Sequence, residues 1–303
     1  MKVLVAGSSG FVGTALKISL ANHGHEVVTL VRREPEDRSS IQWDPNGGVL
    51  PALDTFEFDA VINLAGENVA SGRWTGRRRD RLRQSRVLST SSLCDALGRM
   101  SRPPAVLINA SAVGFYGDRG EQILTEESPP GDDFLAVLSQ EWERAANGPA
   151  VQGIRVAVLR FGMVLGLGGG ALQRMLPAFR LGLGGRLGSG AQYVSWIELS
   201  DAVAAIHHIM EDEGLHGPVN LVAPHPVTNA EFARCLGSVL RRPVVLPAPA
   251  WALRLALGAM ADGLLLSSTR ALPQRLLETG FSFAHERLDA ALRSLFVAVT
   301  QDS

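Results

Sequence analysis

Cysteine is nearly absent from this chain. Only Cys94 and Cys235 occur, far apart and in no metal-ligand spacing, which excludes a disulfide scaffold and a cysteine-held metal centre. An excess of charge of one sign is missing too, since 29 basic against 30 acidic residues leave a formal net charge of −1. That balance gives no general attraction to nucleic acid or to an anionic membrane, and neither is expected as a partner. Long hydrophobic runs are also lacking. "VLVAG" breaks at Gly7, and "WALRLALGAMADGLLL" is interrupted by Arg254 and Asp262. Neither a secretory leader nor a membrane span is therefore expected, and the reading is a soluble, cytoplasmic protein. No G-x-S-x-G elbow and no P-loop occurs, and the seven histidines form no metal-ligand pattern. Tyrosine occurs only twice, and "SPPGDDFLAVLSQEWERAA" (residues 128–146) holds neither tyrosine nor lysine.

What is present is apolar and periodic. Hydrophobic residues make up 46% of the 303 and charged residues 19%, enough for a substantial core. Short β-branched runs at residues 2–6, 26–31, 60–64, 105–110, 155–161 and 219–222 alternate with helical patterns starting near Gly10, Thr75, Phe134, Ala171 and Ser200. This alternation predicts an α/β fold, a Rossmann-like doubly wound parallel sheet, over residues 1–225. Residues 226–303 read as a small, mostly helical C-terminal region. Its pattern gives a helix capped at Thr228 or Asn229 and stopped by Pro243, then a short strand "VVLP". A helix from Pro249 and an amphipathic helix near "HERLDAALRSL" follow. Trp251, Leu253, Leu255 and Leu257 are too many apolar groups for a free tail, so this part is expected to dock on the main body.

The strongest motif is "VLVAGSSGFVGTAL", an apolar strand running into Gly7-Ser8-Ser9-Gly10-Phe11-Val12-Gly13 and then a helix. The spacing is G-x-x-G-x-x-G. Gly7 permits the tight turn, Gly10 lets backbone approach a pyrophosphate, and Gly13 lets helix pack close to strand. Ser9, Phe11 and Val12 lie at the helix start, whose free N–H groups suit phosphate oxygens. At the end of the second strand, "HEVVTLVRR", the acid that would hold a ribose 2′-hydroxyl is absent and Arg32 and Arg33 stand there. An arginine pairs with a 2′-phosphate, so the expected cofactor is NADP(H) rather than NAD.

"GSSGFVG", "NLAGENVASGRW", "SRVLSTSSL", "INASAVGFYGDRGE", "LTEESPPGDDFLA" and "YVSWIELSDAV" together resemble an atypical branch of the extended short-chain dehydrogenase/reductases, the epimerase family proteins. The resemblance spans nearly the whole chain, including a conserved C-terminal domain of unknown function at about residues 248–295. It implies an NADP(H)-binding oxidoreductase or epimerase-like protein acting on an unidentified small molecule, held between the Rossmann-like domain and the C-terminal region. It also places Leu64, Ala65 and Gly66 beside the cofactor and Ser111 near the nicotinamide. Arg86 is a further candidate contact for cofactor or phosphate. Members of the wider family carry a Tyr-x-x-x-Lys pair in which the ammonium lowers the phenol pKa for proton exchange. Anchored on Glu143, the tyrosine place here is Leu135 and the lysine place Ser139. The remaining candidates for proton chemistry are Tyr116 as donor, Glu67 as acceptor and Ser111 as an orienting hydroxyl, although a structural aromatic and a capping or loop-bonding carboxylate are the commoner roles for the first two. A protein that binds NADP(H) without turnover and signals to a partner is the alternative, and the oligomeric state stays open, a homodimer included.

Two further features have a bland reading beside the functional one. Seven arginines between Arg73 and Arg86 read as a solvated helix face with Trp74 and Leu82 turned inward. Tyr193 and Trp196 could line a cleft or belong to the core.

Overall fold

The computed structural model describes residues 1–35, 39–45, 50, 53, 56–148, 151 and 153–301. A first half-unit runs β1 (Lys2–Ala6), α1 (Phe11–Asn22), β2 (Glu26–Val31) and β3 (Ser40–Gln42). The chain then crosses to β4 (Ala60–Asn63), α2 (Gly76–Gly98), β5 (Val106–Ala112), the short β6 (Ile123–Leu124), α3 (Phe134–Ala146) and β7 (Arg155–Phe161). After β8 (Met163–Leu165) come α4 (Gly170–Arg180), β9 (Tyr193–Val194), β10 (Trp196–Glu198), α5 (Leu199–Glu211) and β11 (Gly217–Leu221). The rest is β12 (Val227–Thr228), α6 (Asn229–Leu240), α7 (Ala250–Leu257), β13 (Arg270–Ala271), α8 (Gln274–Glu278) and α9 (Leu288–Gln301).

Seven strands form one sheet in the order β11-β7-β5-β4-β1-β2-β3, and its pairings are all parallel. This is the Rossmann-like α/β architecture expected from the alternating pattern. The order reverses between β1 and β4, which opens a crevice at their carboxyl ends. Side chains alternate across β1. Val3 and Val5 pack with Leu16 and Leu20 of α1 and Ile206 of α5, whereas Leu4 and Ala6 pack with Leu93 and Leu97 of α2. Leu16 and Leu20 are fully buried, worth roughly 1.5–3 kcal/mol each.

The C-terminal segments dock at several points. Leu288, Ala291 and Leu292 of α9 pack with Leu172 and Leu176 of α4 and Phe232 and Leu236 of α6. Met260 packs with Trp74 and Leu82, and β13 pairs with β6. Thr228 and Glu231 form a reciprocal capping box on α6. One expectation fails, because "VVLP" (Val244–Pro247) is not a strand. Pro243, Pro247 and Pro249 bracket it, and none of them can donate a ladder hydrogen bond. Trp196 is wholly buried core, its indole N–H donating to the His225 carbonyl at 3.0 Å. Tyr193 lies half-buried under the Arg270 guanidinium.

Candidate functional site

The crevice is built by the β1–α1 turn facing the β4–α2 loop. Gly7 has φ +79°, and a Cβ there would lie 2.6 Å from the Leu64 carbonyl carbon, so the two loops touch. A Cβ on Gly13 would come within 2.2 Å of the Gly7 oxygen. These two glycines are demanded by the fold itself. Gly10 is different, since a Cβ there would meet only the Gly7 oxygen, at 3.2 Å. The protein leaves room at Gly10 where a ligand could approach.

The start of α1 has the character of an anion site. Gly10 supplies no side-chain cap, and no acidic residue lies in the first turn, whereas α2, α3 and α6 are capped by Thr75, Asp133 and Thr228. Free N–H groups at the positive end of the helix dipole therefore face the crevice. Val12 is half-buried behind the turn, and Ser9 is exposed on it. The Phe11 ring is wrapped by the glycine-rich loop before α4, where a Cβ on Gly166 or Gly169 would come within 2.7 Å of it. That contact explains why "GLGGGA" has no side chains on that side. Arg32 and Arg33 stand exposed just after β2, and β2 lies beside β1 in register Ala6↔Leu30. Among the described residues neither guanidinium has a partner.

The opposite wall is the loop Leu64-Ala65-Gly66-Glu67. Asn63 shapes it from below, its amide donating to Asn109 at 2.7 Å and Thr90 at 3.0 Å, its carbonyl oxygen accepting from the Ala65 N–H at 3.2 Å. Arg86 lies against Gly66, donates to the Glu67 carbonyl at 2.9 Å and stacks over the Trp142 ring at 5.0 Å. Burial pulls its pKa down to about 10, which leaves it cationic at neutral pH. Its bonds hold the loop in place. Glu67 is ion-paired with the buried Arg78, which also donates to the Asn68 carbonyl at 2.6 Å. The arginine-rich helix start is thus only partly a solvated face. Trp74 and Leu82 do turn inward, but Arg78 turns inward with them.

The proposed acid machinery is differently employed. β5 continues to Ala112, so Ser111 is a strand residue in register with Arg160. Its hydroxyl donates to Glu143 at 2.7 Å, and Glu143 accepts two bonds from Arg160 at 2.9 Å. The Tyr116 hydroxyl donates to Asn220 at 2.7 Å and accepts from Arg160 at 2.9 Å. Tyr116 is fully buried, and burial pushes its pKa up to about 12. The expectation that Tyr116 donates a proton is therefore corrected: its ring is enclosed and its hydroxyl already has both partners. A Cβ on Gly114 would lie 3.3 Å from the Leu135 Cβ, and Leu135 packs with Trp74, Leu138 and Met260. Ser139 is buried. The chain's lysines, Lys2 and Lys17, lie on β1 and α1, and Lys2 pairs with Glu26.

The sequence reading missed Asn63, Asn109, Thr90 and Arg160. A signal existed, since "VIN" ends one apolar strand with asparagine, "LIN" puts another inside the next, and "VLRF" puts an arginine inside a buried one. A surface hollow of about 410 Å³ lined by Lys2, Phe58, Asp59 and Arg102 lies at the opposite end of β1. That is the end where such sheets do not bind ligands.

Residues 3–222 match the NAD dependent epimerase/dehydratase family, and residues 248–295 match a domain of unknown function. The chain belongs to the NAD-dependent epimerase/dehydratase family. Among members of that family, the epimerase family protein Mb2239 of Mycobacterium bovis is 43% identical over 290 residues, 96% of each chain. Human epimerase family protein SDR39U1 is 40% identical over 298 residues, 97% of this chain and 99% of that one. The crystal structure of the human protein (isoform 2) with NADPH superposes with a TM-score of 0.89 at 37% identity, covering 97% of this chain and 99% of that one. Among the described residues of this family member, no helix is long and apolar enough to cross a membrane.

Proposed function

We propose that this chain is an NADP(H)-dependent reductase whose acceptor needs no proton from the protein. Cofactor binding would rest on the uncapped start of α1, on the room at Gly10 and on Arg32 and Arg33, which match a 2′-phosphate. The NADPH held by the human relative favours the same choice. The bound nucleotide supplies a hydride. Ala65 and Gly66 would border its nicotinamide half, with Leu64 behind them.

The acceptor class rests on reading Leu135 as the counterpart of the family's tyrosine, and the observation that supports this is its packing in an apolar cluster. The Ser111 hydroxyl donates its hydrogen bond to Glu143, and Glu67 is held by Arg78. Among the described residues no phenol and no lysine borders this wall. A simple ketone needs a proton as its alkoxide forms, and this site supplies none. A quinone takes hydride to give a phenolate that is stable by itself, with a pKa near that of tyrosine, about 10, and water protonates it afterwards. Arg86, cationic beside Gly66, would offset the negative charge meanwhile.

The test follows NADPH absorbance with a soluble 1,4-naphthoquinone and with a panel of aliphatic ketones, against protein-free controls. Turnover of the quinone alone supports the proposal, and turnover of ketones overturns it. Tight NADPH binding with neither acceptor consumed favours the second reading, a cofactor-reporting protein without turnover, for which the packed Leu135 also speaks.

A further inference from the structure

The whole-chain charge balance hides a local asymmetry. No aspartate or glutamate occurs from Arg144 to Ile197 or from Phe232 to Ala261. The fold lays parts of these two acid-free stretches side by side. Leu187 bridges to Ala248, and the Ala248 N–H donates to the Arg186 carbonyl at 2.9 Å. A Cβ on Gly182 would lie 3.6 Å from Pro243. The resulting face exposes Leu181, Leu183, Val245, Leu246, Trp251 and Leu255, from 51% to 74% each. Trp251 and Leu255 are four residues apart on α7, so they share one side of it. No residue of α7 is buried.

Arginines flank these groups along the chain. Arg180, Arg186, Arg241, Arg242 and Arg254 are all exposed, and Asp262, paired with Arg254 at 2.9 Å, is the acid at the edge. Arg241 ends α6 with φ 54°, the one non-glycine residue of positive φ among those described. Glycine or asparagine fits that place with less strain, so the arginine stands there against backbone preference.

We propose that this face docks on an anionic membrane surface. Apolar side chains with a tryptophan among them, flanked by arginine, fit the boundary between headgroups and acyl chains. Charge complementarity selects this occupant over a second copy, because a twofold contact would bring one set of arginines against the other. Docking is peripheral, since no described helix can cross. The inference does not depend on the acceptor proposed above.

The full chain is mixed with vesicles of phosphatidylcholine alone or with about one third phosphatidylglycerol, and binding is read by flotation and by tryptophan emission. Of the five tryptophans, Trp43, Trp74, Trp142 and Trp196 are at most 8% exposed and Trp251 is 70% exposed, so a blue shift reports on Trp251. The expected result is binding to the anionic vesicles only, weakened by salt. Arg241→Gln with Arg242→Gln should weaken it more than ten-fold, at roughly five-fold per arginine. Trp251→Ala with Leu255→Ala should abolish it, with NADPH affinity unchanged as the check on folding. Absence of binding to anionic vesicles overturns the proposal. A dimer in solution that the Trp251→Ala, Leu255→Ala variant dissociates would then assign the face to a second copy, and binding of polyglutamate would assign it to an acidic protein.

Discussion

At the scale of single residues, the chemistry turns on which polar groups are already committed. Tyr116 was a donor candidate in the sequence because tyrosine occurs only twice and the expected Tyr-x-x-x-Lys pair is missing. What the sequence could not display is that Arg160 and Asn220, 44 and 104 residues away in the chain, reach its hydroxyl. Tyr116→Phe should therefore act on stability, leaving a guanidinium N–H and an amide oxygen buried without that partner. The expected loss is about 1–3 kcal/mol in a denaturant titration, with NADPH affinity unchanged. An equally stable variant would remove the hydroxyl from the network. Arg32, by contrast, is exposed at a strand end without a partner among the described residues, and that position is readable from the sequence alone. Arg32→Asp should weaken NADPH by ten-fold or more, since charge-assisted hydrogen bonds are worth roughly 1.5–3 kcal/mol. Parallel calorimetric titrations with NADH check that the loss is confined to the phosphorylated nucleotide.

Among elements, the β1–α1 turn separates fold from ligand. Gly13→Ala drives a methyl to within 2.2 Å of the Gly7 oxygen, whereas Gly10→Ala meets that atom at 3.2 Å. Gly13→Ala should therefore lower the melting temperature strongly, and Gly10→Ala should keep most of the fold and lose cofactor affinity. Thermal scans and calorimetry on both variants distinguish these outcomes, and intact NADPH binding by Gly10→Ala would remove the ligand from the turn. The contact of α1 with α5 carries a second expectation. His207 bonds Ser19 at 3.0 Å, and its ring lies 4.6 Å from that of His23 and 5.9 Å from that of His25. Burial first, then the neighbouring histidines, lowers the His207 pKa below 6.5, and burial first, then the amino terminus and His23, lowers that of His25; Glu211 opposes both. The folded chain thus binds fewer protons there than the unfolded one. Their contribution is complete above about pH 6.5 and is lost as pH falls through the lowered values. The melting temperature should drop from pH 7.5 to 5.5, and less so in His207→Gln; an unchanged difference would contradict this. Element positions were otherwise readable, because period and capping are local properties. "VVLP" misled because its β-branched residues say strand while three prolines around it forbid a ladder.

On the scale of the whole molecule, one crevice at the β1–β4 reversal collects the glycine turn, the Asn63-supported loop and the Arg32–Arg33 strand end. The glycine turn and the strand order, which build one half of this crevice, were legible in the sequence because both are local patterns. The other half depends on contacts such as Ser111 with Glu143 and Glu67 with Arg78, across 32 and 11 residues, and no periodicity encodes those. The account stands on the crevice being an NADP(H) site. The direct measurement is calorimetric titration of the unmutated chain with NADPH and with NADH under identical salt. NADPH is expected to bind at least about ten-fold more tightly, the equivalent of 1.4 kcal/mol. Equal affinities, or no binding of either nucleotide, would contradict the account.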